Sequence, residues 1–210
     1  LNETIYGLGV SLYPTIMGHM EGSQAILAAY GIVGNLVNVS TVMVFAIGGT
    51  TAIIIGREIG AGRREELYEV GLTLNTLSIL LAIVVGAVFI FLTYTLFSPV
   101  LYPLFHLSPE AAEIATMMSL VSFLILPLRA FNTTNVVGVL RGGGDVMAAS
   151  MIDLAPMWLL SLPLAAVMGL ILHWGILPVY LTMSLDNLIK LTLGVWRLRS
   201  KKWIRDVTAV

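Results

Sequence analysis

Residues 70–109 read VGLTLNTLSILLAIVVGAVFIFLTYTLFSPVLYPLFHLSP and contain no Asp, Glu, Lys or Arg. An α-helix crosses the apolar core of a bilayer with roughly 20 residues. This stretch is therefore longer than a buried helix of a water-soluble domain requires, and it predicts a membrane-spanning helix. Two more charge-free runs extend from Gly22 to Gly56 and from Leu154 to Leu185.

The composition of the whole chain supports the same class. Hydrophobic residues make up 58% of the 210 residues and charged residues 11%, with a mean hydropathy of +0.94, whereas soluble domains carry about 25% charged residues. We predict an all-α membrane protein in which residues 1–198 form a bundle of six transmembrane helices. The predicted spans cover about residues 2–20, 24–49, 67–94, 109–140, 146–172 and 177–198, and residues 199–210 form a basic cytoplasmic tail.

Positive charge is confined to one side of these spans. Nine of the eleven Lys and Arg residues follow the second, fourth or sixth span: Arg57, Arg63, Arg64, Arg141, Arg197, Arg199, Lys201, Lys202 and Arg205. The loops on the other side, around Glu21 and in residues 99–109 and 173–177, contain none. Because basic loops stay on the cytoplasmic side during insertion, we predict that both ends face the cytoplasm across the cell (inner) membrane.

Several kinds of chemistry are excluded or disfavoured by residue content. The chain has no cysteine, which excludes disulfides and thiolate metal sites, and its three histidines fall in the uncharged loops without metal-ligand spacing. No nucleophile or metal constellation appears, so we predict neither an enzyme nor a bound metal or cofactor. The basic residues lie at membrane edges, where anionic lipid explains them, and nucleic acid is not expected as a partner.

Five ionisable residues lie inside the predicted spans, where each one needs a partner or a role: Glu3, Arg129, Asp153, Asp186 and Lys190. Asp186 and Lys190 are four residues apart on one helical face, which favours a local ion pair. Asp153 lies about two turns inside the fifth span. We expect it either to pair with Arg129 or Arg141, or to serve a functional role.

Arg129 is the basic residue that topology does not explain. It lies deep in the fourth span between Pro127 and the polar set Asn132, Thr133, Thr134 and Asn135. A proline inside a helix frees a backbone carbonyl, which needs a polar neighbour or water. Such a cluster cannot face lipid, and we favour a wet cavity over packed protein.

Polar stripes on the first two spans extend this interpretation. Asn2, Tyr6, Gly9 and Tyr13 recur at helical spacing, and Asn35 shares a face with Asn38. Interhelical hydrogen bonding is the alternative explanation, but three polar helices exceed what adhesion requires. We predict a central cavity that binds substrate or ion through Glu3, Tyr6, Tyr13, Asn35, Asn38, Arg129, Asn132, Asn135 and Asp153.

Five segments together resemble a known family, the multidrug and toxic compound extrusion (MATE) transporters. They are Leu1–Glu3 with Gly7–Gly9, Ala28–Ile32, the GREIGAG sequence of Gly56–Gly62, the VLRGGGD sequence of Val139–Asp145, and the RSKKWI sequence of Arg199–Ile204. The Ile-Gly-Ala-Gly and Leu-Arg-Gly-Gly-Gly-Asp loops are the most specific. The resemblance covers essentially the whole chain.

The resemblance implies the C-terminal six-helix lobe of a two-lobed antiporter. Such transporters exchange drugs or metabolites for H+ or Na+ by alternating access, so the expected partners are a small-molecule substrate, the lipid bilayer and the missing N-terminal lobe. A start without methionine fits a fragment. Glu3 resembles a cation-binding acid of one branch, whereas the second acid of that branch is absent and Arg129, Asn132 and Asn135 occupy the fourth span. The alternatives are a lipid-linked saccharide flippase of the same superfamily and a non-transporting scaffold.

Overall fold

The computed structural model describes residues 2–205 and consists of six helices joined by short turns. Helices α2 to α6 are each long and apolar enough to cross a membrane, and α1 has 17 residues. The prediction of an all-α membrane fold is confirmed. The helices are α1 (Asn2–Gly18), α2 (Ser23–Gly60), α3 (Leu67–Leu104), α4 (Pro109–Leu140), α5 (Val146–Ile171) and α6 (Ile176–Arg199).

The third helix extends beyond its predicted span. It continues from Leu92 through a π-helical segment, Thr93–Leu101, into a last α-helical turn, Tyr102–Leu104. The expectation that Pro99 and Pro103 lie in a loop is therefore wrong. Pro103 lies in the first turn of the final segment, where its missing N–H is not needed for helical bonding.

Similar π-helical segments interrupt the fourth and fifth helices. They span Thr134–Leu140 in α4, and Met157–Ser161 and Val167–Ile171 in α5. Pro156 directly precedes the first segment of α5. A π-turn widens the hydrogen-bonding pattern locally, and such turns are frequent at functional sites. Irregular backbone therefore occurs in α3 and in α4 and α5, which also carry Arg129 and Asp153.

The residues that precede α4 and α5 use their side chains differently. The Ser108 hydroxyl accepts a hydrogen bond of 3.2 Å from the Ala111 backbone N–H and so caps α4. Asp145 directly precedes α5, and its backbone carbonyl accepts the Ala149 N–H at 3.0 Å. Its carboxylate accepts a 2.6 Å hydrogen bond from Arg197 instead of capping the helix.

The chain divides into two compact units. The first comprises Leu1–Ser40, Val84–Ile125 and Pro156–Asp186. Buried side chains such as Met17 and Phe123 fill its interior. The ring centroids of Phe89 and Phe123 lie 5.0 Å apart. Two buried hydroxyl pairs fasten helices together: Tyr102 with Ser119 at 3.0 Å, and Ser122 with Tyr180 at 2.7 Å.

The second unit comprises Thr41–Ile83, Leu126–Ala155 and Asn187–Val210, and its core is built around Trp203. Trp203 is fully buried, and its indole N–H donates to the Leu198 carbonyl at 3.0 Å. The segment after α6 therefore folds back onto the core of the second unit. A side chain at Gly143 would overlap the Trp203 ring, so this turn needs glycine. The other core members include Ile55, Leu67, Val139, Leu140, Ile152 and Leu198.

Candidate functional site

The predicted site residues divide between the two units. Glu3, Tyr6, Tyr13, Asn35 and Asn38 belong to the first unit, and Arg129, Asn132, Asn135 and Asp153 belong to the second.

In the first unit, α1 presents a packed face and an open face. Gly9 and Tyr13 are buried, and a side chain at Gly9 would overlap Met157 of α5. Tyr6 is partly buried, whereas Glu3 is exposed and accepts a 3.4 Å hydrogen bond from the Asn2 amide. Because Gly9 lets α5 approach closely, the predicted polar stripe is partly a packing surface. Glu3, by contrast, remains accessible at the start of the helix.

On α2 the polar stripe is open. Asn35 and Asn38 are exposed, and no atom of the described residues comes within 4 Å of a Cβ placed at Gly31 or Gly34. Small and amide side chains along one face leave room beside the helix for another molecule or chain segment. Their role in binding stays a prediction.

In the second unit, Asp153 joins two helices by ion pairs. One carboxylate oxygen lies 3.3 Å from the Lys190 ammonium of α6, and the other lies 3.3 Å from the Arg141 guanidinium. The Lys190 side chain is only 5% exposed and that of Asp153 20%. The sequence predicted Arg141 as one of two possible partners of Asp153, but it did not predict the bond between Asp153 and Lys190.

A second ionic cluster lies at the turn before α5. Asp145 is fully buried, and its two carboxylate oxygens lie 2.6 Å from Arg197 and 2.7 Å from Arg205. The Arg205 backbone N–H also donates to the Gly143 carbonyl at 2.9 Å. These contacts tie the end of α6 and the segment after it to the glycine turn. We interpret this cluster as structural.

Amide side chains occupy the contact between α4 and α6. The Asn132 amide donates to the Asn187 backbone carbonyl at 2.9 Å, and Asn135 is completely buried. A Cβ at Gly194 would lie 2.7 Å from the Asn135 amide nitrogen, so the glycine makes room for that side chain. Asn132 and Asn135 thus face a neighbouring helix, and their predicted role in a cavity is not tested by these contacts.

Two buried polar residues on α3, Asn75 and Ser78, also form hydrogen bonds. They were not among the residues predicted from the sequence. The Asn75 amide donates to the Gly71 carbonyl at 2.8 Å, and the Ser78 hydroxyl donates to the Ala130 carbonyl at 3.3 Å. The Thr134 hydroxyl of α4 donates to Ser78 at 2.8 Å. Asn75 and Ser78 are three residues apart, so the same helical spacing that revealed the other stripes also marks these two.

Arg129 is partly buried on α4. Within residues 2–205, the structure gives its guanidinium neither a hydrogen bond nor an ion pair. By contrast, Lys190, Arg141 and Arg197, the other basic residues with largely buried side chains, each contact a carboxylate. The role predicted for Arg129 in a cavity remains a prediction, but its isolation within the described chain sets it apart.

Sequence comparisons show that this chain is similar to known membrane transporters. A family model described as MatE matches residues 9–167. The chain is 30% identical over 160 residues to the "Uncharacterized transporter YisQ" of Bacillus subtilis, which covers 76% of this chain and 34% of that protein. It is 28% identical over 204 residues to the "Probable multidrug resistance protein NorM" of Thermotoga maritima, covering 97% of this chain and 42% of that one.

Comparison with solved structures shows the same fold. A transporter of the MOP superfamily from Pyrococcus furiosus aligns with a TM-score of 0.79 at 22% identity, covering 99% of this chain and 44% of that chain. The transporter ClbM, solved in complex with Rb+, aligns with a TM-score of 0.83 at 19% identity, covering 97% and 46%. The chain spans less than half the length of each of these relatives and solved structures.

Proposed function

Because the chain belongs to the MatE family of membrane transporters, we propose that it is the C-terminal six-helix lobe of an efflux antiporter that exchanges a drug or metabolite for H+ or Na+. The family match over residues 9–167 carries this proposal. The chain is a multi-pass membrane protein segment. Substrate export is proposed because one relative is described as a probable multidrug resistance protein.

We propose alternating access because the chain is less than half as long as the transporters it resembles, which leaves room for a second lobe. The chain corresponds to 42% of the Thermotoga maritima relative and 44% of the Pyrococcus furiosus structure. A second set of helices of similar size would then complete the transporter and enclose the substrate path. The exposed faces of α1 and α2, with Glu3, Asn35 and Asn38, are the proposed lining contributed by the first unit.

Glu3 is the proposed coupling carboxylate. Its side chain is exposed at the start of α1, so a cation can reach it. Asp153 is less suited, because protonating it would remove the counter-charge of Lys190 and Arg141 at the same time. We therefore expect Asp153 to hold the fold of the second unit and Glu3 to exchange the ion.

The flippase alternative is less well supported. A carrier of lipid-linked saccharide phosphates is expected to line its path with several available cations. In the second unit Lys190 and Arg141 already contact Asp153. Among the described basic residues within its membrane helices, away from the helix ends, Arg129 is then the one that contacts no carboxylate. The arrangement therefore favours the antiporter.

Dye efflux from proteoliposomes that contain the full-length protein tests this proposal. An imposed H+ or Na+ gradient should drive ethidium transport, and an ionophore that collapses the gradient should stop it. Glu3→Gln should abolish the driven component, whereas Glu65→Gln, in the exposed turn before α3, should leave it unchanged. Absence of driven transport under both gradients would contradict the antiporter, and unchanged transport in Glu3→Gln would contradict Glu3 as the coupling residue.

A further inference from the structure

Arg129 lacks a counter-charge in the part of the chain that the structure describes. Three other described basic side chains make no hydrogen bond or ion pair there, namely Arg199, Lys201 and Lys202, but they are exposed at the end of α6. Arg129 alone lies inside a membrane helix and is partly buried. A cation at that depth is costly unless an anion or water accompanies it.

Arg129 lies well inside α4. It precedes Leu140, the end of the helix, by 11 residues, which at 1.5 Å per residue is about 16 Å. An arginine side chain is shorter than that distance, so the guanidinium stays within the helical segment.

The two described aspartates of the second unit already form ion pairs with other cations. Asp153 contacts Lys190 and Arg141, and Asp145 contacts Arg197 and Arg205. The remaining carboxylates described in this unit are glutamates at the inner ends of α2 and α3, namely Glu58, Glu65, Glu66 and Glu69. The anion that balances Arg129 therefore comes from outside the described residues of this unit.

Arg129 lies in the α-helical part of α4, between an internal proline and a π-helical segment. Pro127 lies two residues before it, and the π-helical segment begins at Thr134. Ala130 and Phe131, which follow Arg129, are both buried. Irregular helix at membrane depth is tolerated where it is packed in protein or lines a water-filled cavity, and the partial exposure of Arg129 favours the cavity.

We propose that Arg129 binds the carboxylate or phosphate group of transported molecules that carry one, so that the substrates include organic anions or zwitterions. This inference rests on the proposed transport function and specifies its substrate class. A guanidinium offers two parallel N–H donors that match a carboxylate or phosphate. The group selects substrates by charge, and it moves no proton and forms no covalent bond.

Transport of two dyes by full-length protein in phosphatidylcholine proteoliposomes tests the proposal. Carboxyfluorescein supplies carboxylates and ethidium supplies a cation without them. Arg129→Gln should reduce carboxyfluorescein transport at least about tenfold, the size expected for losing a charge-assisted hydrogen bond to a ligand, and should change ethidium transport by less than about twofold. Arg129→Lys, which keeps the charge but loses the paired donors, should recover part of the lost transport. Arg199→Gln, at the exposed inner end of α6, is the matched control and should leave both dyes unchanged.

Binding of carboxyfluorescein to the purified protein, followed by fluorescence anisotropy, separates this inference from the transport proposal. Weaker binding in Arg129→Gln supports the anion site even if neither dye is transported. The inference is overturned if wild-type protein binds and transports only ethidium, or if Arg129→Gln leaves carboxyfluorescein unaffected. Equal loss of both dyes would also overturn it, because a protein carboxylate elsewhere in the transporter would then be the partner of Arg129.

Discussion

Asp153 shows how one side chain at membrane depth fixes two helices. Asp153→Asn removes the counter-charge of both Lys190 and Arg141, whereas Lys190→Met leaves Asp153 paired with Arg141. Because breaking a buried pair from one side strands a charge, we expect Asp153→Asn to cost about 3 kcal/mol of unfolding free energy and Lys190→Met to cost less.

Thermal unfolding in detergent, followed by size-exclusion fluorescence, measures this order. The double variant Asp153→Asn/Lys190→Met should be more stable than Asp153→Asn alone, since only one cation then loses the Asp153 carboxylate. Glu69→Gln, exposed at the start of α3, is the control and should unfold like the wild type. A double variant no more stable than Asp153→Asn would contradict the ion-pair account.

The sequence identified Asp153 as a residue in need of a partner but not Lys190 as that partner. Spacing within α6 favoured Asp186, four residues before Lys190, because only intrahelical neighbours are visible in one sequence. A bond between α5 and α6 depends on how each helix is rotated about its axis. Asn75 and Ser78 did not stand out because they are neutral residues in a largely apolar run, and the Ser78 bond to Ala130 of α4 depends on how the two helices pack.

The helices pack closely where glycine permits it, and Gly138 of α4 tests this. A Cβ at Gly138 would lie 2.7 Å from the Thr51 side chain and 3.0 Å from the Gly48 carbonyl of α2. Gly138→Ala should therefore force the two helices apart and cost about 1–3 kcal/mol. At Gly49 no atom of the described residues comes within 4 Å of such a Cβ, and Gly49→Ala should be neutral or slightly stabilising because alanine favours helix.

The midpoint of thermal unfolding, measured for both variants beside the wild type, checks this contrast. A Gly138→Ala protein as stable as Gly49→Ala would show that α2 and α4 do not approach closely at this point.

At the level of elements, apolar runs predicted the helices correctly because each run is long and free of charge. The prolines misled at the end of α3, since Pro103 lies where a helix turn needs no N–H.

At the scale of the whole molecule, the distribution of basic residues predicts orientation in the membrane, and cysteines introduced into these 210 residues, which contain none, can test it. Single variants Glu21→Cys, in the turn between α1 and α2, and Lys202→Cys, after α6, place one thiol on each side. A membrane-impermeant maleimide should label Glu21→Cys in intact cells and Lys202→Cys only in everted vesicles. The opposite labelling pattern would contradict the predicted orientation.

The fold class was predictable from the sequence because membrane crossing constrains length and apolarity strongly. The candidate site was predictable only as a set of residues. Glu3 and Asn35 are exposed and Asn135 is fully buried, although all three were predicted to line the same cavity. Helical spacing shows which side chains share a face, but not whether that face meets another helix or open space.

Trp203 has a consequence for the order in which the protein is made. The core of the second unit closes around this indole, yet Ile55 and Leu67 of that core are synthesised well before it. Translation must pass α6 before this core acquires its central side chain. Until then the growing chain holds an unfilled space there, and a ribosome that stops after Leu198 would release a bundle with a large hole in this core.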